Sequence, residues 1–161
     1  MNNFFEVQNV DFAVGGKAKV RNVSFSIKNE GDIVCLLGPS GIGKTTILRT
    51  IAGLEKLNKG KIELKGKILS SEKINVEPEH RNISLAFQDN SLFPHYSVKK
   101  NIYLGSERNK NKKSQKIKYD DLIDLLDISQ VLDKFPHQIS AGEAQRVSLA
   151  RSLVTQPDLL L

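Results

Sequence analysis

The sequence predicts an α/β fold, and three features of its pattern support that prediction. An apolar run at residues 33–37 has the length and composition of a buried strand, and a glycine-rich segment follows it at residues 38–46. Apolar residues then recur at helical spacing from residue 47 to residue 54. Segments before residue 30 alternate apolar and polar residues, which predicts strands, and apolar residues after residue 98 recur at helical spacing, which predicts helices.

The glycine-rich segment contains the residue types that hold a phosphate group. It fits the spacing G-x-x-x-x-G-K-[ST] between a predicted strand and a predicted helix, which gives that spacing its structural context. Its glycines let successive backbone N–H groups point inward, and the helix N-terminus adds partial positive charge for the same anion. Lys44 supplies a point charge for the β- and γ-phosphates, and the Thr45 hydroxyl is placed to ligate magnesium. The alternative, a glycine-rich turn with a solvated lysine, is disfavoured by the flanking strand and helix. The residues assigned to this cradle are Gly38, Pro39, Ser40, Gly41, Ile42, Gly43, Lys44, Thr45 and Thr46.

Composition fits one ordinary globular domain. The 161 residues are 39% apolar and 26% charged, which favours neither a disordered nor a membrane-spanning chain. The net charge is +6, but its densest stretch, residues 108–118, has no interleaved aromatic residues, so we expect no nucleic-acid partner. The single cysteine, Cys35, excludes an internal disulfide, and its apolar neighbours predict a buried, inert thiol. No signal peptide or membrane-spanning run is recognisable, which predicts a cytoplasmic chain.

Two alternating segments near the N-terminus, residues 5–10 and 23–27, predict antiparallel strands joined by a turn region. Phe12 and Val14 share one face of the extended chain between them. Phe12 could stack on a nucleotide base or pack in the core or on the surface, and packing is the commoner role for a lone phenylalanine.

Two more strand signals follow in the middle of the chain. Alternation at residues 59–69 predicts a surface hairpin, and residues 83–87 predict a strand that ends at Gln88. An amide at that position could reach magnesium or the attacking water, although an ordinary loop glutamine is the commoner role.

Beyond residue 90 the pattern predicts a small helical insertion. An apolar and aromatic cluster at residues 92–96 precedes helical candidates near residues 98–104 and 117–127. The cluster could be a docking surface for a partner helix or part of the insertion's own core. His95 and His137 have no second ligand at metal spacing, so neither is assigned a metal.

A second helix start carries polar residues that could meet an anion. Ser140 and Gly142 come directly before a helix whose inner positions include Val147 and Ala150. Ser140 and the free N–H groups then form an anion-binding helix start. A plain serine N-cap with Glu143 matching the helix dipole is the alternative, and without the first loop it would be favoured.

These motifs, in this order, resemble the ATP-binding subunit of an ABC transporter, of the importer group for iron(III), polyamine, sulfate and sugar uptake. Residues 38–46 match the Walker A motif, Gln88 the Q-loop glutamine, and residues 139–143 the signature usually written LSGGQ. Residues 93–95 after the Q-loop and residues 145–151 after the signature are also similar to that group. The similarity covers nearly the whole chain.

The resemblance implies a P-loop NTPase fold of the ABC type, with an N-terminal antiparallel β subdomain and a helical insertion. Residues 1–89 would hold the β subdomain and phosphate-loop core, residues 90–156 the helical insertion and signature helix, and residues 157–161 the start of the Walker B strand. It further implies ATP and Mg²⁺ as cofactors, with Thr45 and Gln88 at the metal. Two subunits would pair head to tail, so that Ser140, Gly142 and Glu143 meet the partner's ATP, and membrane permease subunits would bind both. The implied location is the inner face of the cell membrane.

Three departures from the family pattern matter. Val14 stands where an aromatic residue usually stacks on adenine, so that role is either weakened or moved to Phe12. In the signature, Ala141 replaces a glycine and Glu143 replaces a glutamine, which adds a negative charge near a polyanion.

The third departure is at residues 157–161, which resemble the opening of the Walker B strand and precede the magnesium-binding aspartate, the catalytic glutamate and the switch histidine. We therefore expect a partial domain whose core sheet is incomplete at its C-terminus, and no measurable hydrolysis by these residues alone. The alternatives are a non-catalytic ATP-binding fragment and a soluble ABC ATPase of translation or DNA repair.

Overall fold

The structure, a computed structural model, describes residues 3–14, 17–87, 91–107 and 117–161, with side chains except at positions 13, 14, 17–19, 106 and 107. The chain forms two compact units, and the boundary between them lies between Arg81 and Asn82. Each unit has its own hydrophobic interior.

An antiparallel sheet of four strands, in the spatial order β2-β1-β3-β4, makes up most of the first unit. Its strands are β1 (Phe5–Val14), β2 (Lys17–Ile27), β3 (Lys59–Leu64) and β4 (Lys67–Ser71). Phe5 pairs with Ile27 on one side and with Leu64 on the other, which sets the register of the three strands. The predicted N-terminal strand pair and the predicted hairpin are both present.

A residue with left-handed backbone conformation in β1 keeps the apolar side chains of the strand on one face. Phe5 and Val7 are buried at alternate positions, and Val10 and Phe12 are buried three and five residues after Val7. Asn9 lies between them at φ 48°, where the pairing of β1 with β2 shifts. The extra residue restores the burial of the second half of the strand, as a β-bulge does. Phe12 is 0% exposed, so packing, and not an open face for a base, is its role in this fold.

The predicted helix after the glycine-rich segment is α1 (Lys44–Ala52), which lies against β1. Its buried face includes Ile47 and Ile51. The helix ends at Gly53, whose φ of 88° lets its N–H donate back to the carbonyl groups of Arg49 and Thr50. Both ends of α1 therefore depend on a glycine, since Gly43 forms its N-cap.

A buried arginine closes the C-terminal end of α1. Arg81 is 2% exposed, and its guanidinium lies so close to Gly53 that an added Cβ there would be 2.4 Å from Nε. Burial lowers the pKa of Arg81 from its usual range, and the charge of Glu77 acts in the opposite direction. The guanidinium donates to five neutral acceptors: the carbonyl groups of Thr50, Ile51 and Val76, the Ser70 hydroxyl and the Asn75 side-chain oxygen.

The predicted strand at residues 33–37 is wrong for this structure. None of the described strands pairs with this segment, and Ile33 and Leu37 are 93% and 91% exposed. Cys35 is exposed as well, so the prediction of a buried thiol is also wrong. A strand needs a neighbour to satisfy its N–H and C=O groups, and apolar composition alone does not supply one.

Two short parallel strands join the start and the end of the second unit: β5 (Ile83–Ser84) pairs with β6 (Leu159–Leu160). The strand predicted at residues 83–87 is thus shorter than expected, although the Ala86 N–H still donates to the Leu161 carbonyl over 2.9 Å. Local sequence patterns do not predict which distant strand a segment pairs with, so they could not predict the pairing of β5 with β6.

Three helices pack around the core of the second unit. They are α2 (Val98–Glu107), α3 (Tyr119–Leu125) and α4 (Ala141–Leu153), close to the predicted positions. Short 3-10 turns occur at Pro78–His80 in the first unit and at Ser129–Val131 and Pro136–Gln138 in the second. The core residues are Val98, Ile102, Leu122, Ile123, Ile128, Val131, Val147, Ala150 and Val154. A candidate membrane-spanning helix is absent from the part of the chain that the structure describes.

Candidate functional site

The glycine-rich loop folds around its own lysine. The ammonium of Lys44 donates to the carbonyl oxygens of Gly38 over 2.7 Å and of Pro39 over 2.9 Å. The N–H of Ile42 donates to the Pro39 carbonyl over 3.4 Å, which closes the turn at the tip of the loop. The loop thus forms a ring of backbone with a positive charge at its edge.

The transition from loop to helix requires glycine at position 43. Gly43 has φ 113°, and a Cβ built there would lie 2.6 Å from Cγ2 of Val20. Both the backbone conformation and the contact with Val20 therefore exclude a larger residue without rearrangement. Gly41, at φ 81°, has open space around it, so only its conformation favours glycine.

The electrostatics at the start of α1 favour an anion. No acidic residue lies in the first turn of the helix, and within the described parts of the chain no carboxylate forms an ion pair with Lys44. The positive end of the helix and the ammonium therefore lack a compensating carboxylate. Such an arrangement can hold a phosphate group, whose oxygens would replace the carbonyl acceptors now used by Lys44.

The two threonines after Lys44 differ in exposure. Thr45 is exposed, so its hydroxyl is free to approach a metal–phosphate group, whereas Thr46 is 6% exposed and lies on the inner face of α1. The carbonyl of Thr46 accepts a hydrogen bond from the Thr50 hydroxyl. Ser40 and Ile42 are exposed at the tip of the loop. The described residues contain no cluster of three or more His, Cys, Asp or Glu side chains that could hold a metal ion.

The predicted helix start in the second unit has the geometry of a capping box. The Ser140 hydroxyl accepts from the Glu143 N–H over 3.3 Å. The carboxylate of Glu143 in turn accepts from the Ser140 hydroxyl and from its N–H, each over 2.7 Å. Those two hydrogen bonds hold the pKa of the Glu143 carboxyl below its usual range. The plain N-cap, one of the two sequence alternatives, is therefore formed, and it uses the same hydroxyl that an anion would need.

Gly142 leaves open space next to this serine. A Cβ built at Gly142 would meet its nearest neighbour, Nη1 of Arg146, at 3.8 Å. The first turn of α4 is thus accessible from outside the unit. Two predicted positions lie outside what is described: Gln88 itself, and the side chain of Val14.

Sequence reasoning missed three side chains whose hydrogen bonds hold nearby backbone in place: Arg81 at the end of α1, Asn101 in α2 and Arg151 in α4. For Asn101 a signal was present, because a polar residue between Val98 and Ile102 interrupts an apolar helical face. The positions of Arg81 and Arg151 carried no comparable local signal, since either could have been a solvated surface arginine.

Comparison with known proteins adds the decisive observation. The profile of the ABC transporter family matches residues 20–161 of this chain. The chain belongs to the ABC transporter family. The matched residues include both the glycine-rich loop and the helix that Ser140 caps.

Curated relatives in the ABC transporter family match all or nearly all of the chain. The Fe(3+) ions import ATP-binding protein FbpC of Haemophilus influenzae is 40% identical over 162 residues, which cover 100% of this chain and 43% of that protein. The sulfate/thiosulfate import ATP-binding protein CysA of Synechococcus elongatus is 39% identical, over 97% of this chain and 44% of that protein. The chain thus spans less than half the length of these relatives.

Solved structures support the ABC-type fold. A dimeric ATP-binding cassette in a post-hydrolysis state, bound to ADP and Pi, superposes with a TM-score of 0.78 at 23% identity, over 97% of this chain and 72% of that one. CbiO1 of Clostridium perfringens, part of an ABC transporter complex, gives a TM-score of 0.77 at 24% identity, over 99% of this chain and 64% of that one. At these identities the likeness concerns the fold.

Proposed function

We propose that this chain binds ATP as the energising subunit of an ABC-type importer and couples ATP binding and hydrolysis to solute uptake through a membrane permease. The observation that carries the proposal is the phosphate loop, in which Lys44 and the start of α1 present positive charge without a carboxylate partner among the described residues. The importer assignment is supported by relatives named for import of Fe(3+) and of sulfate or thiosulfate.

In this proposal the site residues act in two groups. Residues 38–46 cradle the phosphates of ATP, and Thr45 with Gln88 serves Mg²⁺. Ser140, Gly142 and Glu143 approach the ATP held by a second nucleotide-binding subunit, in a head-to-tail dimer. Residues 1–89 form the β subdomain and phosphate-loop core, residues 90–156 the helical insertion and signature helix, and residues 157–161 the start of the Walker B strand.

The proposed partners place the protein at a membrane. The permease subunits bind near the aromatic residues at 93–96, and the protein is held on the cytoplasmic face of the membrane through them. The exposed ring of Phe93 supplies apolar area for such a contact.

Nucleotide binding by the purified protein tests the first half of the proposal. Titration with Mg-ATP should give saturable binding that Lys44→Ala weakens by about tenfold or more, because a charge-assisted contact to phosphate is lost. The matched control is Lys67→Ala, which removes an exposed lysine from the hairpin of the same unit. Equal affinities for the two variants would refute the assignment of the phosphate site.

Partner binding and uptake test the second half. Affinity purification from the native membrane should recover a permease, and deletion of the gene should reduce uptake of iron(III) or of sulfate. A protein that binds ATP but recovers only soluble partners, with both uptake rates unchanged, would overturn the importer assignment.

A further inference from the structure

Three lysines line an open pocket on the four-stranded sheet of the first unit. The pocket has a volume of about 580 Å³, which is within the range of sites that bind small molecules. Its lining comes from residues 8 and 9 of β1, residues 59–61 of β3 and residues 71–73 at the end of β4. We refer to it as the lysine pocket, after Lys59, Lys61 and Lys73.

Close contact between β1 and β3 shapes one side of the lysine pocket. Gly60 has φ 95°, and a Cβ built there would lie 2.5 Å from the carbonyl oxygens of Gln8 and Asn9. Asn9 has φ 48° and lies where the pairing of β1 with β3 shifts. The Ser24 hydroxyl accepts from the Asn9 N–H over 2.9 Å and donates to the Asn9 side-chain oxygen over 3.2 Å. Neighbouring strands therefore hold this side of the pocket in place.

A hydrogen-bonded turn carries one of the lysines. The Ser71 hydroxyl accepts from the Lys73 N–H over 3.3 Å and from the Ile74 N–H over 3.1 Å. The Ser71 N–H donates to the Ile74 carbonyl over 2.7 Å, and Ser71 pairs in register with Lys61 of β3. The backbone of Lys73 is thus fixed relative to β3, since the turn is tied to the strand that pairs with it.

The lysines of the pocket favour an anion. The ammonium of Lys61 lies 2.9 Å from the Glu63 carboxylate, so this charge already has a partner. Lys59 and Lys73 are exposed, and within the described parts of the chain neither forms an ion pair with a carboxylate. These two ammonium groups are the cations that a ligand can meet.

Two carboxylates limit which anions fit. Glu72 lines the pocket, and Asp11 pairs in register with Lys59 while its Oδ1 accepts from the Asn22 N–H over 2.8 Å. A ligand with one negative charge would gain little beside these carboxylates, so the pocket favours a ligand with several charges. None of the described residues that line it is aromatic, so a nucleobase finds no ring to stack on.

We propose that the lysine pocket binds a small polyanion with two or more phosphate or carboxylate groups. Lys59 and Lys73 come from different elements, so anionic groups at two ends of one ligand meet both ammonium groups. The oxygen of the Asn9 amide already accepts from Ser24, which leaves its NH₂ group as a donor to the same ligand. The pocket shares no lining residue with the phosphate loop at residues 38–46, so this proposal does not rest on ATP binding.

Isothermal titration calorimetry of the complete protein tests the proposal, with inorganic pyrophosphate and citrate as probes in magnesium-free buffer of low ionic strength. Every protein in the test carries Lys44→Ala, which weakens pyrophosphate binding at the phosphate loop. We expect saturable binding of at least one probe, and the double variant Lys59→Ala with Lys73→Ala should weaken it roughly tenfold. Arginine at both positions keeps the two charges and should retain most of the affinity.

The matched control is Lys28→Ala with Lys67→Ala, which removes two other exposed lysines from the same unit. Lys67 pairs with Leu64 at the far end of β3 from Lys59, so this control should change affinity by less than about twofold. Binding of pyrophosphate alone assigns a phosphorylated ligand, binding of citrate alone assigns a carboxylate ligand, and binding of both assigns a pocket that recognises charge. The proposal is refuted if neither probe binds saturably up to about 10 mM, or if the two double variants to alanine lose affinity equally.

Discussion

Replacement of Arg81 should destabilise the first unit more than any surface substitution. Its guanidinium donates to five acceptors and two of them, the carbonyl groups of Thr50 and Ile51, belong to the last turn of α1. Those acceptors are neutral, and the charged form of Arg81 is also favoured by the charge of Glu77 and by the partial negative charge at the helix end. Arg81→Ala removes the donors and leaves a gap beside Gly53.

The magnitude follows from the number of donors lost. Hydrogen bonds to charged groups are worth about 1.5–3 kcal/mol each, but water entering the gap would satisfy part of the five acceptors. We therefore expect a loss of about 3–5 kcal/mol in the free energy of unfolding, which corresponds to about two such hydrogen bonds lost without replacement. Arg81→Lys keeps the charge but has three donors in another geometry, so about half of that loss should remain.

Urea unfolding followed by far-UV circular dichroism measures this loss, and hydrogen exchange at the amides of α1 locates it. The matched control is Arg21→Ala, which removes an exposed arginine from β2 of the same unit and should change stability by less than about 0.5 kcal/mol. A loss below about 1 kcal/mol for Arg81→Ala, or unchanged exchange in α1, would refute the view that Arg81 caps this helix.

Three further predictions concern the loop and the helices. Gly43→Ala should weaken Mg-ATP binding by about tenfold or more in a titration, because φ 113° and the Val20 contact disfavour a Cβ, and normal affinity would contradict this. The lowered pKa of Glu143 means that its carboxylate stabilises the fold above the unfolded-chain pKa, and that this contribution disappears as the pH falls through the folded-state pKa. As the pH is lowered through the acid range, the melting temperature should therefore fall less steeply for Glu143→Gln than for the unmodified protein. Parallel plots of melting temperature against pH for the two proteins would contradict the capping role. Gly105→Ala should cost about 1–3 kcal/mol in urea unfolding, since its Cβ meets the Arg151 carbonyl, and a neutral result would show that α2 and α4 can separate.

The predictions that the structure confirms concern short-range features of the sequence. The glycine-rich loop, the helix after it and the hairpin around Gly66 all depend on residues within a few positions of one another. The N-cap at Ser140 is of the same kind, because Ser140 and Glu143 satisfy each other's hydrogen bonds within one turn. Such features can be predicted since the interacting groups are neighbours in the chain.

Sequence patterns alone located the glycine-rich loop and the helix that Ser140 caps. Several other residues took positions in the fold that sequence patterns did not indicate. Arg81 and Asn101 became interior hydrogen-bonding centres, and Cys35, in an apolar run, became exposed. This is because burial depends on which residues pack against a side chain, and those residues lie far away in sequence or in a strand that must be present to pair.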